Sequence, residues 1–246
     1  MRHSSIRRAL LLAPLLPFLA LAEDRTIDQN VHGWYHYIGS HPIAGSKWGL
    51  YLEGQFRRHN AITQWQQLLL RPGVNYQLTD KVSLTAGYAF IRSHRYSDYA
   101  ASGPAANEHR VWEQVRFFYG SKPIAWNTRI RFENRFLSAT NTVTGRPGYR
   151  YENRLRLFQQ ATVPLSARTY VTAYDEFWVY VKPYIASSAF DQNRAYGAFG
   201  VKVRPDWRVE VGYMNQALLQ RSGRVLEANH TLVLAIYGNA RLFSRR

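Results

Sequence analysis

Trp126-Asn127-Thr128-Arg129-Ile130-Arg131-Phe132-Glu133-Asn134-Arg135-Phe136 sets a charged residue at every second position from Arg129 to Arg135. Side chains of a strand alternate between faces, so this segment has one ionic face and one largely apolar face. A soluble sheet could turn those charges to water. The same alternation, however, recurs along most of the chain and follows what reads as an export signal. Strands of this kind closed into a barrel turn apolar side chains to lipid and charges to a lumen. The expected fold is therefore all-β: a transmembrane, antiparallel β-barrel of ten to twelve strands, with both termini on the periplasmic side.

Residues 1–22 carry Arg2, Arg7 and Arg8, then an apolar run from Ala9 to Leu21 that ends Ala20-Leu21-Ala22. A basic start, a short apolar stretch and a small-x-small ending read as a secretory signal peptide. A membrane-anchoring helix would need about 20 apolar residues. Residues 23–246 then form a single outer-membrane barrel domain. There is no cysteine, which excludes disulfides, zinc–thiolate sites and a cysteine nucleophile. Seventeen tyrosines against two methionines suit strands and membrane-interface belts better than a helical bundle. The formal charge of +16 invites a nucleic-acid reading. The basic residues are mostly arginines interleaved with glutamate at strand period, behind an export signal, so no nucleic-acid partner is expected.

Working outward, strand-like runs cover 47–57, 67–77, 82–93, 108–119, 126–137, 150–162, 168–180, 190–203, 207–219 and 228–238. The connections at 79–81, 121–123, 164–166 and 204–206 are tight and rich in turn formers. Those at 58–64, 96–107, 138–149, 181–189 and 220–227 are longer. Such alternation matches short periplasmic turns and longer outer loops. Trp48, Trp126 and Trp207 each follow a short connection, as an aromatic girdle at one rim would require. Val31–Gly39 reads as an eleventh strand. An odd number is awkward for a single-chain bacterial barrel, so this segment is expected inside the lumen, along the rim, or beside a twelfth strand. Glu113, Asp175 and Asn153 fall on the face assigned to lipid, near an interface or at a shifted register.

Glu108-His109-Arg110-Val111-Trp112-Glu113-Gln114, Arg129-x-Arg131-x-Glu133-x-Arg135-Phe136, Arg154-x-Arg156, Asp175-Glu176-Phe177 and Asp191-Gln192-Asn193-Arg194 follow one another in order. Arg71-Pro72-Gly73 precedes them and Glu210-Val211-Gly212-Tyr213 follows. Together, over about residues 31–238, they resemble the Gram-negative outer-membrane protein family catalogued as domain of unknown function 2490 (DUF2490). The resemblance implies a barrel in the outer membrane of a Gram-negative bacterium and lends no catalytic residue. The tail Asn239–Arg246 departs from it, running past the expected final strand without a terminal aromatic.

The dense polar constellation is the inward set Glu53, Arg57, Arg71, Arg110, Arg116, Arg129, Arg131, Glu133, Arg135, Glu152, Arg154, Arg156, Glu176, Arg194 and Glu210. Guanidinium forks match carboxylates bidentately, so a cross-strand ladder filling the lumen is the expected arrangement. Removing Glu133 alone should then cost roughly 1–3 kcal/mol more than removing both members of a contacting pair. Three functions follow: a structural or assembly-related barrel of unspecified role, a small anion-favouring channel, or a lipid-modifying enzyme. The first is favoured and is non-enzymatic. His94, His109, His230, Ser83 and Ser93 are available for Ser/His chemistry, but no G-x-S-x-G elbow is present. His32, His36 and His41 do not converge at strand period, so no metal and no cofactor are expected. The expected partners are outer-membrane lipid and, during biogenesis, the barrel assembly machinery. The rival fold is a soluble periplasmic barrel or sandwich, which needs the apolar face turned inward.

Overall fold

In the computed structural model, residues 25–60, 62–97, 99, 105–140, 144–181 and 188–243 are described. The predicted signal peptide lies outside them. Eleven strands follow in chain order: β1 (Thr26–Pro42), β2 (Trp48–His59), β3 (Gln64–Thr79), β4 (Val82–Ser93), β5 (Ala106–Ser121), β6 (Ile124–Thr140), β7 (Pro147–Pro164), β8 (Thr169–Tyr180), β9 (Phe190–Arg204), β10 (Trp207–Leu219) and β11 (Val225–Gly238). Each pairs with its chain neighbours, and β1 pairs with β11 to close the barrel.

Two expectations about the chain ends are corrected. Val31–Gly39 is a strand, as its alternation indicated, but it lies neither in the lumen, nor along the rim, nor beside a twelfth strand, because it forms the centre of β1 and is part of the wall. With an odd number of strands, the first and last must run the same way. Accordingly β1 and β11 pair in parallel, unbroken from Thr26↔Val225 to Gly39↔Gly238, while the other junctions are antiparallel. Parallel hydrogen bonds are slanted but evenly spaced, so the seam leaves no open edge. It follows that Thr26 sits at the long-loop rim and only the C-terminal tail lies at the short-turn rim. The two ends of the barrel are not on one side.

The seam is strapped at both rims. At the short-turn end the tail folds back, with Leu242 N–H donating to Pro42 (2.8 Å) and Ala44 N–H donating to Leu242 (3.1 Å). At the long-loop end, the β4–β5 connection reaches across the mouth. The Tyr96 hydroxyl donates to Glu227, and the Ser97 hydroxyl donates to Asp28 at 2.9 Å. Burial, with the Glu227 carboxylate beside it, pushes the Tyr96 phenol well above its ordinary range, so it remains a donor.

The alternation read from the sequence decides which face is which. Large apolar side chains stand exposed on the outside of every strand, among them Val31, Leu52, Val74, Leu84, Val111, Ile130, Leu157, Val171, Phe199, Val211 and Leu232. Glutamates and arginines of opposite parity are buried inside. Glu113 is exposed on the outer face, whereas Asp175 is covered by the Asn193 amide, at 2.9 Å and 3.1 Å.

One wall position is set by backbone proximity. Pro72 cannot donate to the ladder, and β3 and β4 lose pairing between Leu70↔Phe90 and Gly73↔Gly87. There a Cβ on Gly87 would lie 2.3 Å from the Pro72 carbonyl oxygen and 2.7 Å from the Gly73 Cα. Backbone atoms cannot rotate away as a side chain can. Gly87→Ala is therefore expected to cost about 1–3 kcal/mol in an unfolding titration. Gly54→Ala, on the neighbouring wall with open space around the new methyl, is the matched control. Equal losses for the two would refute this reading.

Candidate functional site: a buried ionic core beneath a vestibule

Register brings the charges together. The β6–β7 ladder sets Glu133 opposite Arg154, Arg135 opposite Glu152 and Arg131 opposite Arg156. The β5–β6 ladder sets Arg110 opposite Arg135, and β2–β3 sets Glu53 opposite Arg71. Like charges facing each other across a ladder destabilise it, and here carboxylates from neighbouring positions bridge them. Glu108 accepts from Arg110 Nε at 2.5 Å and from Arg135 Nε at 2.6 Å. Glu133 accepts from Arg154 and Arg156, each at 2.8 Å.

Glu133 is the hub. It has no solvent exposure, and Arg110, Arg71 and Arg131 also approach it at 3.4, 3.5 and 3.9 Å. From it the network runs through Arg71 to Glu53 (2.8 Å), through Arg156 to Glu176 (2.7 Å) and through Arg154 to Asp191 (2.8 Å). Arg129 also donates to Glu176. Glu152 accepts from Arg135 (3.1 Å), Arg150 (2.8 Å) and Arg221 (2.9 Å).

Four members of the inward set stand apart. Glu210 is held mainly by the Tyr170 hydroxyl at 2.8 Å, with Arg208 at 3.7 Å. Arg57, Arg116 and Arg194 have no carboxylate within 4 Å among the described residues. Arg57 donates instead to Gln55 (2.9 Å) and Gln67 (2.6 Å).

Residues not singled out from the sequence complete the core, and three are tryptophans. Trp34, Trp112 and Trp178 are buried inside the barrel. Trp178 has the guanidinium carbons of Arg156, Arg154 and Arg194 at 3.8, 4.1 and 4.3 Å from its ring. Trp34 carries Arg57 at 3.9 Å and Arg194 at 5.1 Å, and Trp112 carries Arg131 at 4.6 Å. Their parity was the available signal, since Trp112 shares a face with Arg110 and Gln114, and Trp178 with Glu176.

Above the core, toward the long-loop rim, the lumen opens into a vestibule of about 680 Å³. Its deepest border is formed by Trp34, Leu69, Arg71, Arg156 and Trp178. Below that level the lumen is packed with side chains. Tyr51 and Trp112 meet edge to face at 5.3 Å, and Phe158, Tyr174 and Tyr196 follow one another at 4.9 and 4.6 Å. Met214 has no exposed surface.

The three tryptophans that follow short turns stay outside. Trp48 is exposed against Tyr76 (4.7 Å), Trp126 is half-buried, and Trp207 lies over Gly238 beside Tyr37 (6.0 Å). Among the described residues, the histidines and serines are held in separate contacts. His109 contacts Tyr88 and Tyr149, His230 contacts Tyr213 (2.6 Å), and Ser93 accepts from Gln67 (2.8 Å). His32 lies beside His59 (3.4 Å), while His41 is bound on the outer face by Tyr37 (2.7 Å).

A closed β-barrel with an apolar exterior and a buried arginine–glutamate core is the class of protein these features define. The chain belongs to the family described as protein of unknown function (DUF2490), which matches residues 31–227. An uncharacterized protein of Methylorubrum extorquens is 28% identical over 200 residues, covering 76% of this chain and 78% of that relative. Among solved structures, the NanC porin in a rhombohedral crystal form is similar at 13% identity and a TM-score of 0.48. The match covers 81% of this chain and 93% of that one.

Proposed function

We propose that the chain is an outer-membrane β-barrel whose lumen is occluded, so that it acts as a rigid, non-enzymatic body with an externally facing vestibule and not as a diffusion pore. The observation that carries this reading is the contrast between the two faces. Outward side chains such as Leu52, Val111 and Leu232 are 43%, 52% and 64% exposed, and every strand contributes. A soluble protein seldom shows a continuous apolar band of that extent, and lipid is the solvent that removes its cost. Inside, Trp112, Arg131, Glu133 and Met214 have no exposed surface, which supports occlusion at mid-barrel. A soluble barrel would need the opposite arrangement of faces.

The arginine-rich vestibule favours, as a second reading, a narrow anion path, because fixed positive charge within low-dielectric walls attracts anions. The packed aromatics below the core weigh against it.

The membrane assignment is tested by fractionating cells and running detergent-extracted outer membranes on gels with and without boiling. A folded band that shifts on heating is expected in the outer-membrane fraction. Recovery in the soluble periplasmic fraction would refute the assignment.

A further inference from the structure

Arginine exceeds carboxylate at the vestibule. Among the described residues, nine arginines and four carboxylates border it, and most of these arginines are held by acids in or just beneath its wall. Arg57 and Arg194 are the exceptions. Each is more than nine-tenths buried, borders the cavity, and has no carboxylate within 4 Å among the described residues. Both approach the ring of Trp34, at 3.9 and 5.1 Å, so two guanidiniums without a carboxylate in direct contact share one side chain of the wall. A stability-driven core would place a carboxylate between them, as Glu108 stands between Arg110 and Arg135. Glutamines occupy that neighbourhood instead: Gln55, Gln66, Gln192 and Gln216 all border the cavity. These side chains supply donors and acceptors without neutralising the two cations.

We propose that the vestibule binds a small solute carrying two negative charges, as a dicarboxylate or a phosphate, with Arg57 and Arg194 supplying the counter-charge. Guanidinium forks match both oxyanions bidentately. The volume of about 680 Å³ lies in the range of roughly 300–1,000 Å³ usual for small-molecule sites. The vestibule is bordered by residues at the long-loop ends of the strands, Ala106, Gly148 and Gln220 among them, so the ligand is expected to enter from that rim. The inference rests on the occluded reading of the lumen, in which a ligand stops at the core.

The test is calorimetric titration of the purified full-length barrel in a neutral detergent with succinate and with inorganic phosphate, using acetate as the single-charge comparison. Succinate or phosphate is expected to bind at least tenfold more tightly than acetate. Arg57→Gln and Arg194→Gln should each weaken that binding by about tenfold or more, the scale of one charge-assisted contact. Arg57→Lys should restore part of the loss. Because neither arginine answers a carboxylate, both glutamine variants should keep the heat-shifted folded band, while Lys202→Gln at the opposite rim should leave binding unchanged. Equal affinity for acetate and succinate, or unaltered binding by folded Arg57→Gln and Arg194→Gln, would overturn the site. A steady current in planar bilayers would instead overturn occlusion, a distinct failure.

Discussion

Replacing Glu133 with glutamine is expected to destabilise the folded barrel by about 3–5 kcal/mol, the scale of stranding buried charges. The substitution preserves shape and removes the one carboxylate that Arg71, Arg110, Arg131, Arg154 and Arg156 share. For an isolated pair, deleting both partners restores most of the loss. A hub behaves differently: Arg71, Arg110, Arg154 and Arg156 each keep a second carboxylate, Arg131 keeps none among the described residues, and adding Arg154→Met to Glu133→Gln deprives Asp191 of its arginine, so the recovery should be partial at most. Glu210→Gln is the useful contrast. Its carboxylate is equally buried, yet it faces tyrosine hydroxyls and one arginine at 3.7 Å. Unfolding midpoints in detergent should rank Glu133→Gln far below Glu210→Gln. Equal and near-zero losses would mean that the charges are solvated and independent.

Trp178→Ala should be comparably damaging, at about 3–5 kcal/mol for truncating a buried indole. Cavity formation is only part of that cost, because three guanidiniums also lose the ring they stack on. Trp178→Phe retains an aromatic face at reduced volume, while Trp178→Leu, somewhat smaller still, gives up the face. Phe should be tolerated better than Leu in the same unfolding titration. If Leu matched or exceeded Phe, the ring–arginine stack would contribute nothing beyond packing.

The parity of Arg129 to Arg135, and of Glu53 to Arg57, was sufficient to assign inner and outer faces, because strand alternation is a local property. The short turns were legible for the same reason. The β1–β11 seam was not, since nothing in Val31–Gly39 names a partner some 200 residues away, and closure of an odd-stranded barrel is decided globally. Nor could the sequence rank the acids. Glu133 and Glu210 both read as inward, and only the stagger between strands makes one a hub and the other a tyrosine acceptor. The inner tryptophans escaped notice because tryptophan in an outer-membrane pattern suggests a rim. Trp48, Trp126 and Trp207 stand outside near the short turns, whereas Trp34, Trp112 and Trp178 serve as platforms for arginine.

The occluded lumen is tested most directly by the current through purified, folded protein inserted in planar bilayers under a salt gradient. No steady conductance is expected, because Trp112, Arg131, Glu133 and the Phe158–Tyr174–Tyr196 stack fill the section below the vestibule. A sustained current with a reversal potential displaced toward that of chloride, and diminished by Arg131→Gln and Arg135→Gln, would contradict occlusion and establish an anion path through the core.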